Sequence, residues 1–251
     1  RNRKKRPLGI TSIRDKLLQE AVRMLLEAIY EPTFDNRSHG FRPKRSCHTA
    51  LQQISRDFTG TVWFIEGDIK GCFDNIDHEM LIAILGRKIK DSKFLNIIRQ
   101  FLKAGYIENW KYHKTYSGTP QGGICSPILA NIYLNELDKK LDEISRRFVQ
   151  PRSALRAPEY NAVSKEMKKL SYWIDHTSDK TEREELIRKY KERQQKSRSL
   201  PAHPADNKKF TFVRYADDWL AGVCGTREEC EILKAEISQF LSAELKLTLS
   251  E

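Results

Sequence analysis

Three acidic residues sit where apolar strands end. Val62-Trp63-Phe64-Ile65 is a short run of β-forming residues that leads through Glu66-Gly67 into Asp68. Far along the chain, Phe210 to Cys224 has strand character interrupted at Ala216-Asp217-Asp218, the pattern of a hairpin. Turn chemistry alone accounts for a lone Asp-Asp pair. Carboxylates at the ends of otherwise apolar strands are a different matter, because burying them uncompensated is costly. If the two strands lie side by side, Asp68, Asp217 and Asp218 converge, and their repulsion favours cations between them. Ligands that are all oxygen suit Mg²⁺, which completes its shell with waters and substrate phosphates. Two such ions about 3.5–4 Å apart activate an attacking oxygen and stabilise a leaving one in an in-line displacement.

Longer blocks surround these acids. Asp68-Ile69-Lys70-Gly71-Cys72-Phe73-Asp74-Asn75-Ile76-Asp77-His78 follows the first strand, and Tyr215-Ala216-Asp217-Asp218 is preceded by Phe212-Val213-Arg214. Between them lies Gly118-Thr119-Pro120-Gln121-Gly122-Gly123-Ile124-Cys125-Ser126-Pro127. Upstream stand Arg6-Pro7-Leu8-Gly9-Ile10 and Gly40-Phe41-Arg42-Pro43-Lys44-Arg45-Ser46. Five blocks in this order, across nearly the whole chain, resemble the fingers and palm region of reverse transcriptases encoded by group II introns (maturases). The resemblance implies an α+β fold of the right-hand polymerase type. Its fingers and palm hold a small antiparallel palm sheet backed by helices, with a helical insertion. The implied divisions are fingers over 1–62, palm with part of the fingers over 63–144, a charged helical insertion over 145–207 and palm again over 208–251. The sixth block of the family would begin as the chain reaches Glu251, so the thumb is expected to be absent, and with it strong polymerisation by this piece alone.

Roles carry over residue by residue. Asp68, Asp217 and Asp218 match the catalytic metal-binding triad, with the Ile69 main-chain carbonyl as a further ligand. The implied cofactor is a pair of Mg²⁺ ions, with Mn²⁺ as a substitute in vitro. Phe73 matches the ring that packs under the incoming sugar and clashes with a 2′-hydroxyl; the alternative is an ordinary core Phe. Gln121 matches the residue beside nucleotide and template, where adjacent glycines allow close backbone approach. Lys5, Arg6 and Arg42 are candidates for gripping triphosphate or template phosphates, Arg as a bidentate fork and Lys as a point charge. The alternative for each is a solvated basic edge. Lys70 and Arg214 flank the acids and balance their charge, whereas Asp74 and Asp77 read as turn and helix-start residues. His78 belongs to that local structure. Trp63, Trp110, Trp173 and Trp219 read as core or interface anchors, with Trp110 beside Lys111 and Lys114 as a candidate for stacking on nucleic acid.

Those residues need elements to hold them. A helix starts near Ser12, where Ser12 and Asp15 form a capping-box pattern, and Leu17, Ala21, Leu25 and Ile29 mark its buried face. A second helix runs from about Cys47 to Phe58, and further helical patterns cover 79–90 and 92–104. Residues 110–118 resemble an exposed hairpin. Ser126-Pro127 opens a helix with Ser as N-cap and with Ile128, Ile132, Leu137 and Leu141 on its packed side. Two charged helical tracts cover 158–175 and 179–198. Thr226 and Glu229 begin another helix, and Leu245, Leu247 and Leu249 alternate as in a final strand.

Charge points the same way as the blocks. Of the net +11, residues 1–10 hold five Lys or Arg and no acid, and residues 139–200 hold 17 against 10. Basic charge gathered in two segments suits a polyanion. Arg1, Arg3 and Lys4 in the arm, and Lys165, Lys168, Lys169, Arg188 and Lys189 in the insertion, are the candidate RNA contacts, against the alternative of a solvated helical hairpin. The expected partners are an RNA template, intron RNA, a DNA or RNA primer and dNTPs, and a homo-oligomer is compatible with the sequence. Five scattered Cys without Cys-x-x-Cys spacing argue against a disulfide framework or zinc site. No run of about 20 apolar residues offers a membrane span, and the basic start lacks a signal-peptide pattern. A cytoplasmic bacterial setting follows, with an organelle as the alternative, and the missing initiator Met suggests a longer parent protein. Two other functions stay open: an RNA-binding splicing module with little polymerase activity, and a related retron or diversity-generating reverse transcriptase.

Overall fold

The computed structural model describes residues 10–108, 111–113, 117–118, 122–149, 157–177, 179–200 and 208–249. Helix α1 (Ile13–Tyr30) starts where Ser12 accepts a hydrogen bond from the Asp15 amide. Its buried residues are Gln19, Val22, Leu26 and Tyr30. The expected face is therefore the wrong one: Leu17, Leu25 and Ile29 are exposed. Helix α1 carries two apolar stripes, and its docking on the later helix α6 selects between them. Gln19 sits on the chosen stripe because it is satisfied there, its side-chain oxygen accepting from the Ile124 amide at 2.8 Å.

Helix α2 (Cys47–Asp57) opens on a capping box made by Ser46 and Thr49. Strand β1 (Trp63–Asp68) delivers the chain to a short helix α3 (Cys72–Asn75), and Asp77 then caps α4 (His78–Gly86) by accepting from the Met80 amide. Asp91 caps α5 (Ser92–Lys103) in the same way. The small hairpin comes earlier than the expected 110–118: β2 (Tyr106–Glu108) pairs with β3 (Lys111–His113). Helix α6 (Ser126–Phe148) has Cys125, not Ser126, as its N-cap residue, with Pro127 in the first turn. It is buried well beyond one stripe, and Ile128, Ile132, Leu137 and Leu141 are all in the core. Full burial of each such side chain contributes about 1.5–3 kcal/mol, which makes α6 the axis of the molecule.

Helices α7 (Pro158–His176) and α8 (Lys180–Ser199) pack mainly against each other. Strands β4 (Lys209–Tyr215) and β5 (Asp218–Cys224) form the second hairpin, and α9 (Arg227–Glu244) follows the Thr226–Glu229 capping box. The sheet order is β1-β5-β4, antiparallel throughout. Helices α6 and α9 cover one face, and α2 covers the β4 side of the other through Ala50, Phe58 and Val213. Of the expected final strand, the described residues show a single bridge between Ile69 and Leu249, and Leu245 and Leu247 are buried in the core. The result is a mostly helical α+β protein around a three-stranded antiparallel sheet. Among the described residues, no helix is long and apolar enough to cross a membrane.

Candidate active site

The two acidic segments meet at one end of the sheet. Strands β1 and β5 run antiparallel in a register that sets Asp68 directly opposite Asp218. Strands β4 and β5 close on the pair Tyr215 and Asp218, leaving Ala216 and Asp217 as a two-residue turn. Ala216 takes φ 57°, a left-handed conformation that such turns usually give to Gly. That choice costs on the order of 1–2 kcal/mol and persists only where the surroundings impose it.

Arg214 is the main part of those surroundings. It and Asp138 are both fully buried, with side-chain exposures of 0%. The Arg214 guanidinium donates from Nε and Nη2 to the two carboxylate oxygens of Asp138, at 2.7 Å each. Its Nη1 donates to the Ala216 carbonyl at 2.6 Å and to Asn131 Oδ1 at 3.1 Å. Asn131 and Asp138 stand seven residues apart on one side of α6. Asn131 in turn donates to the Gly40 carbonyl at 2.8 Å. The loop carrying Gly40 lies along the outer edge of β4, bridged in parallel at Ser38 and Arg214. The Arg214 amide donates to the Arg37 carbonyl and the His39 amide to the Arg214 carbonyl, each at 2.9 Å. A Cβ on Gly40 would stand 2.2 Å from the Ala216 nitrogen, so no other residue lets the loop come this close.

Charge accumulates at this corner. Partial burial pushes the Asp218 carboxyl above the ordinary aspartate value, reinforced by the carboxylates of Asp217, Asp68 and Glu66. Burial, with Asp217 and Asp68 nearby, pushes the Cys72 thiol up to about 12, which leaves it an inert core side chain. Among the described residues, no three His, Cys, Asp or Glu side chains already form a coordinating cluster. The site instead offers oxygens only, brought together by strand register and repelling one another. That donor set fits hard divalent cations, which take part of their shell from water and phosphate.

The remaining candidates divide by location. Ile69 has a buried hydrocarbon side chain, and only its main-chain carbonyl has an oxygen to offer a cation. Lys70 is exposed, and its amide donates to the Thr248 carbonyl at 2.9 Å. Phe73 is half-buried, packs against the core and meets the Phe41 ring edge-on at 6.3 Å. The loop carrying Gly40 and Phe41 and the block after Asp68 are thereby joined. Gly118, at φ 82°, brings the start of its block against the same segment: its amide donates to the Ile76 carbonyl at 2.8 Å. His78 donates from Nε2 to the Gly118 carbonyl at 2.7 Å, a structural role. Lys5, Arg6, Gln121, Arg1, Arg3, Lys4, Trp110 and Lys114 lie outside the described residues. Lys165, Lys168, Lys169, Arg188 and Lys189 lie on the α7–α8 hairpin, with Lys189 paired to Glu185.

Arg42 needs correcting. It is 7% exposed and faces into the loop. Its guanidinium donates to Glu31 at 2.9–3.2 Å and to the carbonyls of Asp35 and Ser38 at 2.6 and 2.8 Å. Every guanidinium nitrogen already has a protein acceptor, so Arg42 braces the loop and offers no fork to a phosphate. Trp173 is 56% exposed and is not a core anchor, whereas Trp219 is buried.

Sequence reasoning did not find Asn131, Asp138 or Glu66. Each carried a signal. Asn131 and Asp138 are polar positions inside the apolar run of α6, and Glu66 shares the strand face of Asp68 two residues on.

Residues 1–251 match the family described as reverse transcriptase (RNA-dependent DNA polymerase). The chain is 50% identical over 250 residues to the group II intron-encoded protein LtrA of Lactococcus lactis subsp. cremoris, covering 100% of this chain and 42% of LtrA. It is 44% identical to an uncharacterised 91 kDa protein in the cob intron of Schizosaccharomyces pombe, covering 98% of this chain and 30% of that one. It is 33% identical to protein YkfC of Escherichia coli, covering 99% of this chain and 58% of YkfC. The chain thus spans less than two thirds of these relatives, and it belongs to the reverse transcriptase (RNA-dependent DNA polymerase) family.

Proposed function

We propose that this chain carries the catalytic core of a group II intron-encoded RNA-directed DNA polymerase. It adds deoxynucleoside triphosphates to a primer 3′-hydroxyl on an RNA template. The observation that carries the reading is register: Asp68 opposite Asp218, with Asp217 in the adjoining turn. In this reading Asp68, Asp217, Asp218 and the Ile69 carbonyl hold two Mg²⁺ ions, and Mn²⁺ substitutes in vitro. The bound ions supply activation of the 3′-hydroxyl and stabilisation of the departing pyrophosphate. The chain's own side chains do the positioning. The Phe73 ring lies under the incoming sugar and disfavours a 2′-hydroxyl, and the role expected of Gln121 is contact with nucleotide and template. Lys5 and Arg6 meet the triphosphate. The new bond joins the primer oxygen to the α-phosphorus as the bond to the β-phosphate breaks. For the intact protein we propose a second role as a maturase that binds its intron RNA through the basic arm and the α7–α8 hairpin, in a bacterial cytoplasm.

The test is Asp217→Asn in the full-length protein. Primer extension on an RNA template is expected to vanish while RNA affinity stays at the wild-type level. Extension near the wild-type rate, or affinity lost in step with activity, would remove the polymerase reading.

A further inference from the structure

The α7–α8 hairpin divides its charge along its length. The half nearer the body of the protein, 158–173 and 188–199, carries nine Lys or Arg against three Glu, a net +6. The half nearer the hairpin loop, 174–187, carries five Asp or Glu against two Lys or Arg, a net −3. An ion pair between Arg193 Nε and Glu166 at 2.9 Å sets the two helices in register, so the basic residues of both lie at the same level. At the seam between the halves sit three rings of α7. Tyr172 and Trp173 are 55% and 56% exposed. Tyr172 stacks on His176 with centroids 4.1 Å apart and meets Trp173 edge-on at 5.6 Å. The His176 ring is fixed in turn, donating from Nδ1 to the Tyr172 carbonyl at 2.8 Å. Exposed rings grouped this way on an otherwise polar projection mark a binding surface.

We propose that this aromatic seam is a stacking platform for an unpaired base of a structured RNA whose phosphates lie along the basic half. The inference rests on the proposed role of the hairpin in binding RNA and deepens it. Charge complementarity selects the partner. A net +6 beside the rings draws a polyanion, and an aromatic face stacks on any base without regard to sequence. The acidic half then limits the footprint, because phosphates carried past the rings would meet like charge. The occupant is therefore an RNA loop that ends at the rings, not a duplex that runs the length of the hairpin.

The experiment measures affinity of the intact protein for two probes in the same salt: an RNA stem capped by an oligoadenosine loop, and a blunt RNA duplex of equal length. Tyr172→Ala with Trp173→Ala is expected to weaken loop binding by about fivefold to a hundredfold and to leave duplex binding unchanged. Tyr172→Phe with Trp173→Phe, which keeps the rings, is expected to retain affinity. Unchanged loop binding in the alanine variant would overturn the platform. Equal losses on both probes would do the same. The reading of the hairpin as an RNA-binding element is checked apart, by Lys168→Glu, Lys169→Glu and Arg188→Glu together. If that variant weakens both probes while the alanine variant moves neither, the platform falls and the RNA reading stands. If no variant moves either probe, both fall, and a protein partner becomes the better account of the rings.

Discussion

Arg214 is fully buried one residue from the end of β4, and its partners explain how it can be. The guanidinium is matched oxygen for oxygen by Asp138 through Nε and Nη2, and its Nη1 donates to Asn131 and to the Ala216 carbonyl. Removing one partner leaves a buried charge unpaired, so Asp138→Ala is expected to lose about 3–5 kcal/mol of stability. Replacing both, as Arg214→Met with Asp138→Leu, should recover most of that in thermal unfolding. Primer extension should stay low, because the Ala216 carbonyl still lacks its donor and the turn loses its aim. A double variant that regains full activity would deny Arg214 any part in positioning the turn. The acids behave in the opposite sense. Because Asp218 has a raised value in the folded state, that state holds its proton more tightly than the unfolded chain does. Stability therefore falls as pH rises from the ordinary aspartate value through the raised one, and stays lower above it. Asp218→Asn should abolish extension, gain roughly 0.2–1 kcal/mol at neutral pH without divalent cations, and flatten that slope in denaturant titrations. That Asp68 meets the Asp217-Asp218 turn was legible in the sequence, since acids that end apolar strands are costly to keep there uncompensated. The partners of Arg214 were not, since they lie 76 and 83 residues away in the chain.

Among the elements, those set by local chemistry were legible and those set by docking were not. Ser12, Ser46 and Thr226 each accept an amide at a helix start, as their neighbouring residues require. The apolar and polar spacing of β1, β4 and β5 marked the strands. The buried face of α1 was misread because two apolar stripes compete, and only the approach of α6 decides between them. Arg42 was misread for a related reason: a basic residue in a fingers-like block looks solvent-facing until Glu31 and two carbonyls surround it. At this scale the tightest fit is Gly40 under Ala216. Gly40→Val is expected to push the loop off the β4 edge and to cut primer extension by roughly tenfold or more, while the circular dichroism of the helices is kept. An unchanged rate would show that the loop does not support the turn.

At the scale of the molecule, the basic α7–α8 hairpin packs mainly on itself and not on the strands that carry the acids, so catalysis and grip should separate in mutants. Affinity for RNA should fall steeply with salt, and reversing the hairpin charges should flatten the log–log slope by about 0.7 to 0.9 for each phosphate no longer neutralised. The seam between the Arg37–His39 loop and β4 has a mechanical consequence. Two main-chain hydrogen bonds, at Arg37 and His39, rivet the loop to the strand that carries the acidic turn. Any motion of this loop relative to the sheet cannot pivot there without tearing a sheet edge. The two parts must travel as one stiff lever, and a push on the loop is felt at the carboxylates with little slack.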